Sequence, residues 1–557
     1  MSGARLTLLV VALLGAAAPG GAAKSDSEPE LTILLKPMAL DTAAGTATLD
    51  VTMTVPAMDV AAGQKLFTQQ NMAPRMAGPQ ELADLTVSDA QGTAAIESDN
   101  GMGLRSWTTK RGVNGTMTVH YLARIDNASD GSLSSIPHVD GDGVFGVGNM
   151  LLVAPMTDKR YRVAIKWDLS GLAPGARGIS TFGTGDVTLP MGSLSRLTFA
   201  MFMTGQIKQA PTKPAGGFSA NWTGDPQFDV AGAMGWSEQM YRFMSRFFAD
   251  PSEPLYHVFL RHSDVNPGNG VAAPHAFVLA YGNGTTAEGV KTILGHEMTH
   301  TWTTADFGKW YAEGNAVYYQ AQLPWRAGLI PIDKYVRDIN LTAARYYANS
   351  AINAPDADIE SRFWSDMRYS VLPYDRGALY FATLNSMIGR HSKNKRSIDD
   401  LIRVMVARAR EDQPVTEQAW LELLGRELGE KGLGFHRAML AGKTVIPPSD
   451  AFGPCFRRLQ GKVRRFDLGF GGPEVKRTTV IELLRPDSAA ARAGLRDGDK
   501  VEFRMSTEGV FRDPDQTLTV HVTRAGKSFN VTYLPRGEPV VSYRWERNPA
   551  VPESSCR

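Results

Sequence analysis

The stretch LGHEMTHTW, residues 294–302, sets His296 and His300 four positions apart, with Glu297 beside the first. On an α-helix, residues i and i+4 share a face, so two imidazoles at this spacing can grip one metal ion. Glu297, on the same turn, can then take a proton from the water that such an ion activates. This logic holds only on a helix. Thr285 and Glu288 have capping-box spacing, and Val290, Ile293, Leu294 and Met298 supply an apolar side; together they predict a helix over 286–304. Two histidines leave a catalytic zinc site one protein ligand short. Asp306, six residues past His300, and Glu313, in KWYAEGNAVYYQ, compete for that place.

Three segments surround the motif. Residues 24–205 carry short alternating runs such as TATLDVTMTV and RYRVAIKWDL, divided by Gly, Pro, Asn and Asp clusters, the pattern of an antiparallel β domain. Residues 206–445 turn helical. WSEQMYRFMSRFFAD has apolar residues at helical spacing, PLYHVFLRH reads as a strand, and helices are expected at 286–304, 310–323, 373–389, 397–410 and 416–430. Residues 446–557 form a third unit behind the linker-like AGKTVIPPSDAFGPC, with an expected strand TTVIELL and a hairpin TLTVHVTRAGKSFNVTYLP. The fold class is multidomain α+β.

The chain has 557 residues, too many for one hydrophobic core, and two to four domains are expected. With 59 Lys and Arg against 57 Asp and Glu, a net charge of +2 gives no electrostatic basis for nucleic acid or an anionic membrane as the main partner. At the N-terminus, Arg5 precedes the apolar run 6–14, too short to span a bilayer, and Gly21, Ala22 and Ala23 offer a cleavage site before Lys24. Residues 1–23 therefore read as a signal peptide, and the mature chain as exported, periplasmic or secreted, with no membrane span. Export permits disulfides, and the two cysteines, Cys455 and Cys556, are expected to form one bond around the third unit.

WYAEGNAVYY closely resembles the second metal helix of the glycyl aminopeptidase family, gluzincin zinc metallopeptidases with a C-terminal PDZ domain. MSRFFADPSEPLYHVFL, HEMTHTW and RYSVLPYDRGALYFATLN resemble its strand before the site, its metal helix and the segment that brings a tyrosine to the zinc. The three-part order also matches, so the resemblance covers most of the mature chain. It implies Zn2+ on His296, His300 and Glu313, with Glu297 as general base. It implies Tyr374 as donor to the oxyanion, with Tyr369 the weaker candidate. Asp306 is disfavoured because the metzincin pattern that would use it places glycine where Thr303 stands. FDLGFGG and RPDSAAARAGLRDGDKVEF are similar to a PDZ domain, in which Leu468-Gly469-Phe470 would form the loop receiving a peptide carboxylate.

Two departures from the family stand out. Only residues 301–312 separate His300 from Glu313, fewer than usual. In the strand matching GVAAPHAFVL, Pro274 stands where aminopeptidases carry the glutamate that binds the substrate amine, with His275 beside it. His257 and His262 are expected to be structural. The expectation is a zinc peptidase acting on peptides or proteins, aminopeptidase-like but without that glutamate. The alternative is a non-catalytic peptide-binding PDZ protein on a protease scaffold.

Overall fold

The computed structural model describes residues 29–70, 81–101, 104–127, 136–212, 217–250, 255–263, 267–273, 275–303, 305, 307–411, 413–471, 478–503, 507–552 and 556. The segment 1–23, Pro274 and Asp306 lie outside them. The chain is a multidomain α+β protein with an N-terminal β-sheet region followed by a helical one.

The N-terminal region is built on a seven-stranded sheet. The alternation seen in TATLDVTMTV is the inward–outward period of a half-buried strand: Thr46–Val60 buries Ala47, Leu49, Val51, Met53 and Val55 in turn. A bulge between Val55 and Met58, with Ala57 at φ 57°, shifts the phase, and Met58 and Val60 are buried beyond it. A separate five-stranded sheet leans on the helical region through Phe145, whose ring is 5.8 Å from that of Phe259. Asp140 Oδ2 accepts bonds from the His262 backbone N–H and the Tyr281 hydroxyl, both at 2.8 Å.

The helical region starts from a five-stranded sheet. Its strands run Lys208–Ala210, Phe218–Trp222, Tyr256–His262, Ala276–Tyr281, Gly270–Ala273 across the sheet. The middle three are parallel and buried except for the half-buried ends Trp222 and His262, as a sheet covered on both faces requires. The antiparallel edge strand Gly270–Ala273 runs beside the helix that carries the HExxH motif. Expected helices are seen at Lys309–Arg326, Leu372–Ser392, Ile398–Arg410 and Glu417–Leu428. A further long helix, Ile332–Ala348, was not among those expected. It bridges the helical region and the C-terminal unit.

In that unit, Phe456–Phe466 and Arg536–Arg547 pair antiparallel and lie along the bridging helix. Asn340 clasps them: its Nδ2 donates to Trp545 O at 2.8 Å, and Trp545 N donates to its Oδ1 at 2.7 Å. Beyond them stands a four-stranded antiparallel sheet with its own core of Val501, Leu518, Val520 and Val522. The first of its strands stops at Val480, short of the expected Leu484: Leu483 takes a positive φ of 53°, and Leu484 N donates to Asp497 Oδ1 at 2.9 Å instead of to a neighbouring strand. Cys455 and Cys556 are disulfide-bonded, as expected, with Cα atoms 5.4 Å apart. Both belong to the core of the helical region, so the bond anchors the base of the unit. Among the described residues no helix is long and apolar enough to cross a membrane.

Candidate metal centre

The HExxH helix runs Lys291–Thr303, starting five residues later than the spacing of Thr285 and Glu288 suggests. Thr285 Oγ1 instead accepts from Gly282 N, and Thr286 Oγ1 from Gly289 N, closing separate turns. Glu288 pairs with Lys291 at 2.8 Å and Lys334 at 3.1 Å. Leu294, Met298 and Trp302 face the core at four-residue spacing, and Trp302 Nε1 donates to Asp250 Oδ2 at 3.1 Å. This fixes the rotation of the helix about its axis and turns His296, Glu297 and His300 toward the helix that carries Glu313.

Two close approaches bring the remaining residues in. At Gly295 a Cβ would stand 2.6 Å from Gln320 O, so the missing side chain lets the HExxH helix approach Lys309–Arg326 beside His296. At Gly314 a Cβ would stand 2.6 Å from the Gly377 Cα, so Leu372–Ser392 crosses the same helix glycine on glycine. The first contact sets Glu313 against the histidines. The second sets Tyr374, one turn before Gly377, against His296.

His296 Nε2 and His300 Nε2 each lie 3.3 Å from Glu313 Oε2. Ligand atoms of these three residues all fall within 4.8 Å of one another. The ring of Tyr374 stacks on His296, with centroids 5.8 Å apart and planes 14° apart. The Tyr369 ring instead lies against Arg362, whose Nη1 donates to its hydroxyl. His275 is an exposed turn residue at φ 58° between the edge strand Gly270–Ala273 and its neighbour Ala276–Tyr281. His257 is buried with Nδ1 2.8 Å from Ser219 Oγ, and His262 packs its ring on Tyr281.

The donor set fits a divalent ion that takes nitrogen and oxygen ligands. Glu313 Oε2 is buried and satisfied by no hydrogen bond. His296 Nδ1 lies 3.1 Å from Gln320 Oε1, and Gln320 Nε2 donates to Asp338 Oδ1 at 2.8 Å. This chain orients the amide, puts the imidazole proton on Nδ1 and leaves the Nε2 lone pair aimed at Glu313, the outer-shell pattern of a ligating histidine.

The charges interact strongly. Burial works to raise the Glu313 carboxyl, and the His300 charge overcomes it, holding the group well below the usual carboxylate range. Burial works to lower His300, and Glu313 outweighs it, pushing the imidazole up to about 8. Glu297 is pushed up by burial against the pull of His296 and His300. A buried carboxyl with a shifted pKa beside such a donor set is a candidate functional group. Burial also lifts Asp338 to about 6, against the hydrogen bond from Gln320.

Gln320, Asp338 and Arg345 are absent from the sequence expectations. Gln320 follows Glu313 by seven residues, two helical turns, so a shared face could have flagged it. Arg345 binds Asp375, next to Tyr374, through two nitrogens, with contacts of 2.6–3.2 Å. No local signal in the sequence links those two.

No family model matches the chain, and no curated protein matches it. Among solved structures, the chain is similar to an aminopeptidase N family protein from Idiomarina loihiensis. The TM-score is 0.66 at 15% identity, over 93% of this chain and 98% of that one. It is also similar to an M1 zinc metallopeptidase from Deinococcus radiodurans solved with a Tyr-Ser-Ala substrate, with TM-score 0.47 and 14% identity over 75% of this chain and 95% of that one. Over nearly its whole length, then, the chain has the fold of an aminopeptidase N-like protein.

Proposed function

We propose that the chain is an exported zinc-dependent peptidase, aminopeptidase-like in fold. The reading rests on one observation: His296 and His300 converge at 3.3 Å on a buried Glu313 oxygen that no hydrogen bond satisfies. His296, His300 and Glu313 would hold the ion, which when bound supplies Lewis acidity and lowers the pKa of water.

The other residues have separate tasks. Glu297 takes the proton of the attacking water and hands it to the leaving nitrogen. Tyr374 donates its hydroxyl proton in a hydrogen bond to the oxyanion that develops on the scissile carbonyl. Gln320 and Asp338 keep His296 in the tautomer that presents Nε2. Pro274 and His275 supply no carboxylate for a substrate amine where the family's glutamate is expected, so no strict requirement for a free N-terminus is expected.

The third unit is read as PDZ-like, with its Gly-rich loop in a structural role. Two amides of its Gly-rich loop are already engaged, Gly469 N with Asp467 Oδ1 and Gly471 N with Glu482 O, each at 2.8 Å. Export is supported by the sequence of 1–23 and by the disulfide.

The test is Glu297→Gln, which keeps the size of the side chain and cannot take the proton. Zinc content and peptide binding should match wild type, while turnover on a mixed library of free and N-acetylated peptides falls by about 10²–10⁴. Turnover within tenfold of wild type would remove Glu297 as the base. A zinc-loaded wild type that cuts nothing would favour a peptide-binding protein on this scaffold.

A further inference from the structure

Arg512 lies at the end of the short helix Thr507–Arg512, in the C-terminal unit. Its guanidinium carbon is 5.7 Å from the centroid of the Tyr374 ring, the ring that stacks on His296. One aromatic ring therefore separates a cation of the third unit from the metal centre. Burial pushes the carboxyls of Glu297 and Asp375 up, and the Arg512 charge is among those that draw both back.

The placement is built rather than incidental. Buried Arg536 donates to the carbonyls of Val510, Asp513 and Pro514 at 2.6–3.0 Å, binding the end of the short helix to the strand Arg536–Arg547. A cation there also suits the negative end of a helix. Asn340 fastens that strand to the bridging helix, which carries Asp338 and Arg345. Phe511 adds a ring contact to Phe466 at 5.3 Å. Arg512 is thus held over Tyr374 by a continuous set of contacts, while its own side chain is exposed.

The neighbouring charges narrow its role. Glu297 and Glu313 would repel an anionic substrate. A guanidinium keeps its proton at any working pH and so is no acid or base, but its fork matches a carboxylate. We propose that Arg512 is a specificity-determining residue, through which the C-terminal unit recognises a carboxylate of the peptide substrate at the metal centre. The proposal rests on the peptidase reading. The carboxylate is either the C-terminus of a short peptide or an acidic side chain near the scissile bond.

Binding separates these sources without depending on turnover. Calorimetry on the zinc-loaded full chain, in a Glu297→Gln background, would use three tetrapeptides: tetra-alanine with a free C-terminus, the same peptide amidated, and an amidated form with Glu in fourth place. At least one carboxylate-bearing peptide should bind about tenfold to a hundredfold more tightly than neutral tetra-alanine amide, the worth of a hydrogen bond to a charged group. Arg512→Ala should bring that ratio close to one, and Arg512→Lys, which keeps the charge and loses the fork, should retain part of it. A preference for the free C-terminus alone makes Arg512 a gauge of peptide length. A preference that includes the glutamate peptide makes it a reader of acidic side chains. Both outcomes support the proposal. Equal binding of all three peptides, no binding of any, or a preference that survives Arg512→Ala overturns it. Failure of the wild type to cut peptides would instead count against the peptidase reading, leaving the binding ratios to decide the role of Arg512.

Discussion

Replacing Gly314 with alanine should destabilise the protein, although the same change in an open helix stabilises it. Alanine exceeds glycine in helix propensity by about 1 kcal/mol. At Gly314, however, the new methyl would meet Gly377 Cα at 2.6 Å, Gly377 C at 2.8 Å and Phe381 Cε2 at 3.2 Å. Carbon atoms rest at about 3.5–4.0 Å, so the two helices must part by roughly 1 Å. The obstructing atoms are mostly backbone and cannot rotate away. Overpacking of this kind costs about 1–3 kcal/mol, and backbone against backbone belongs at the upper end, leaving a net loss of about 1–2 kcal/mol after the propensity gain.

The shift also moves Tyr374 relative to His296, and about 1 Å of misplacement can cost roughly a hundredfold in rate. Zinc content should hold, because the Gly295–Gln320 contact that brings the three ligands together is elsewhere. Gly235 is the control: it lies inside the helix Val230–Phe247, and a Cβ there meets nothing within 4 Å. Gly235→Ala should stabilise by up to about 1 kcal/mol. The measurements are the denaturant midpoint of each variant, its zinc content and its kcat/KM on one peptide. If Gly314→Ala is stabilised as much as Gly235→Ala, the glycine crossing does not set the helix spacing, and the account of how Tyr374 is placed fails.

Glu313→Ala should strip most of the zinc while Asp306→Ala keeps it, as metal analysis of the two purified variants will show; the reverse order would assign the third ligand to Asp306. Gln320→Leu should weaken zinc binding by about 10- to 100-fold by releasing His296 Nδ1, measured by competition with a chelator; unchanged affinity would leave the Gln320–Asp338 chain without a role at the metal. Thiol titration of the denatured, unreduced protein should find essentially no free cysteine. Replacing Cys455 and Cys556 with serine should cost up to about 4–5 kcal/mol in the chain-entropy view of a bond spanning 101 residues, and a pair of reactive thiols in the native chain would refute the bond.

Much of the site is legible along the chain where the governing contact is local. His296, Glu297 and His300 can be read because one helical turn sets their geometry, and Glu313 enters as a candidate because it follows on the next helix. What fails is instructive. The Thr285–Glu288 box does not form because Lys291 and Lys334 outcompete the backbone for Glu288. The bridging helix buries Ile332, Tyr335, Ile339, Ala343 and Tyr346 at steps of three and four, so its period is present in the sequence. Its function is not, because Asn340, Asp338 and Arg345 act on partners far away in sequence. Gly295, Gly314 and Gly377 are similarly silent, since only the facing helix shows why a side chain would not fit there.

The bridging helix also imposes an order in time. Three of its residues act on separate parts of the centre: Asp338 through Gln320 on a histidine, Arg345 through Asp375 on the tyrosine helix, and Asn340 on the strand that carries Trp545, 205 residues further along. A growing chain makes the HExxH helix and Glu313 early, but it cannot close the Asn340 clasp until Trp545 has been synthesised. Until then the strand that holds the Arg512 helix has no seat. Domains tend to fold as they emerge, N-terminal first. A nascent copy of this protein therefore gathers His296, His300 and Glu313 before the rest of the site is in place, and the site reaches its final geometry only as the last large unit docks.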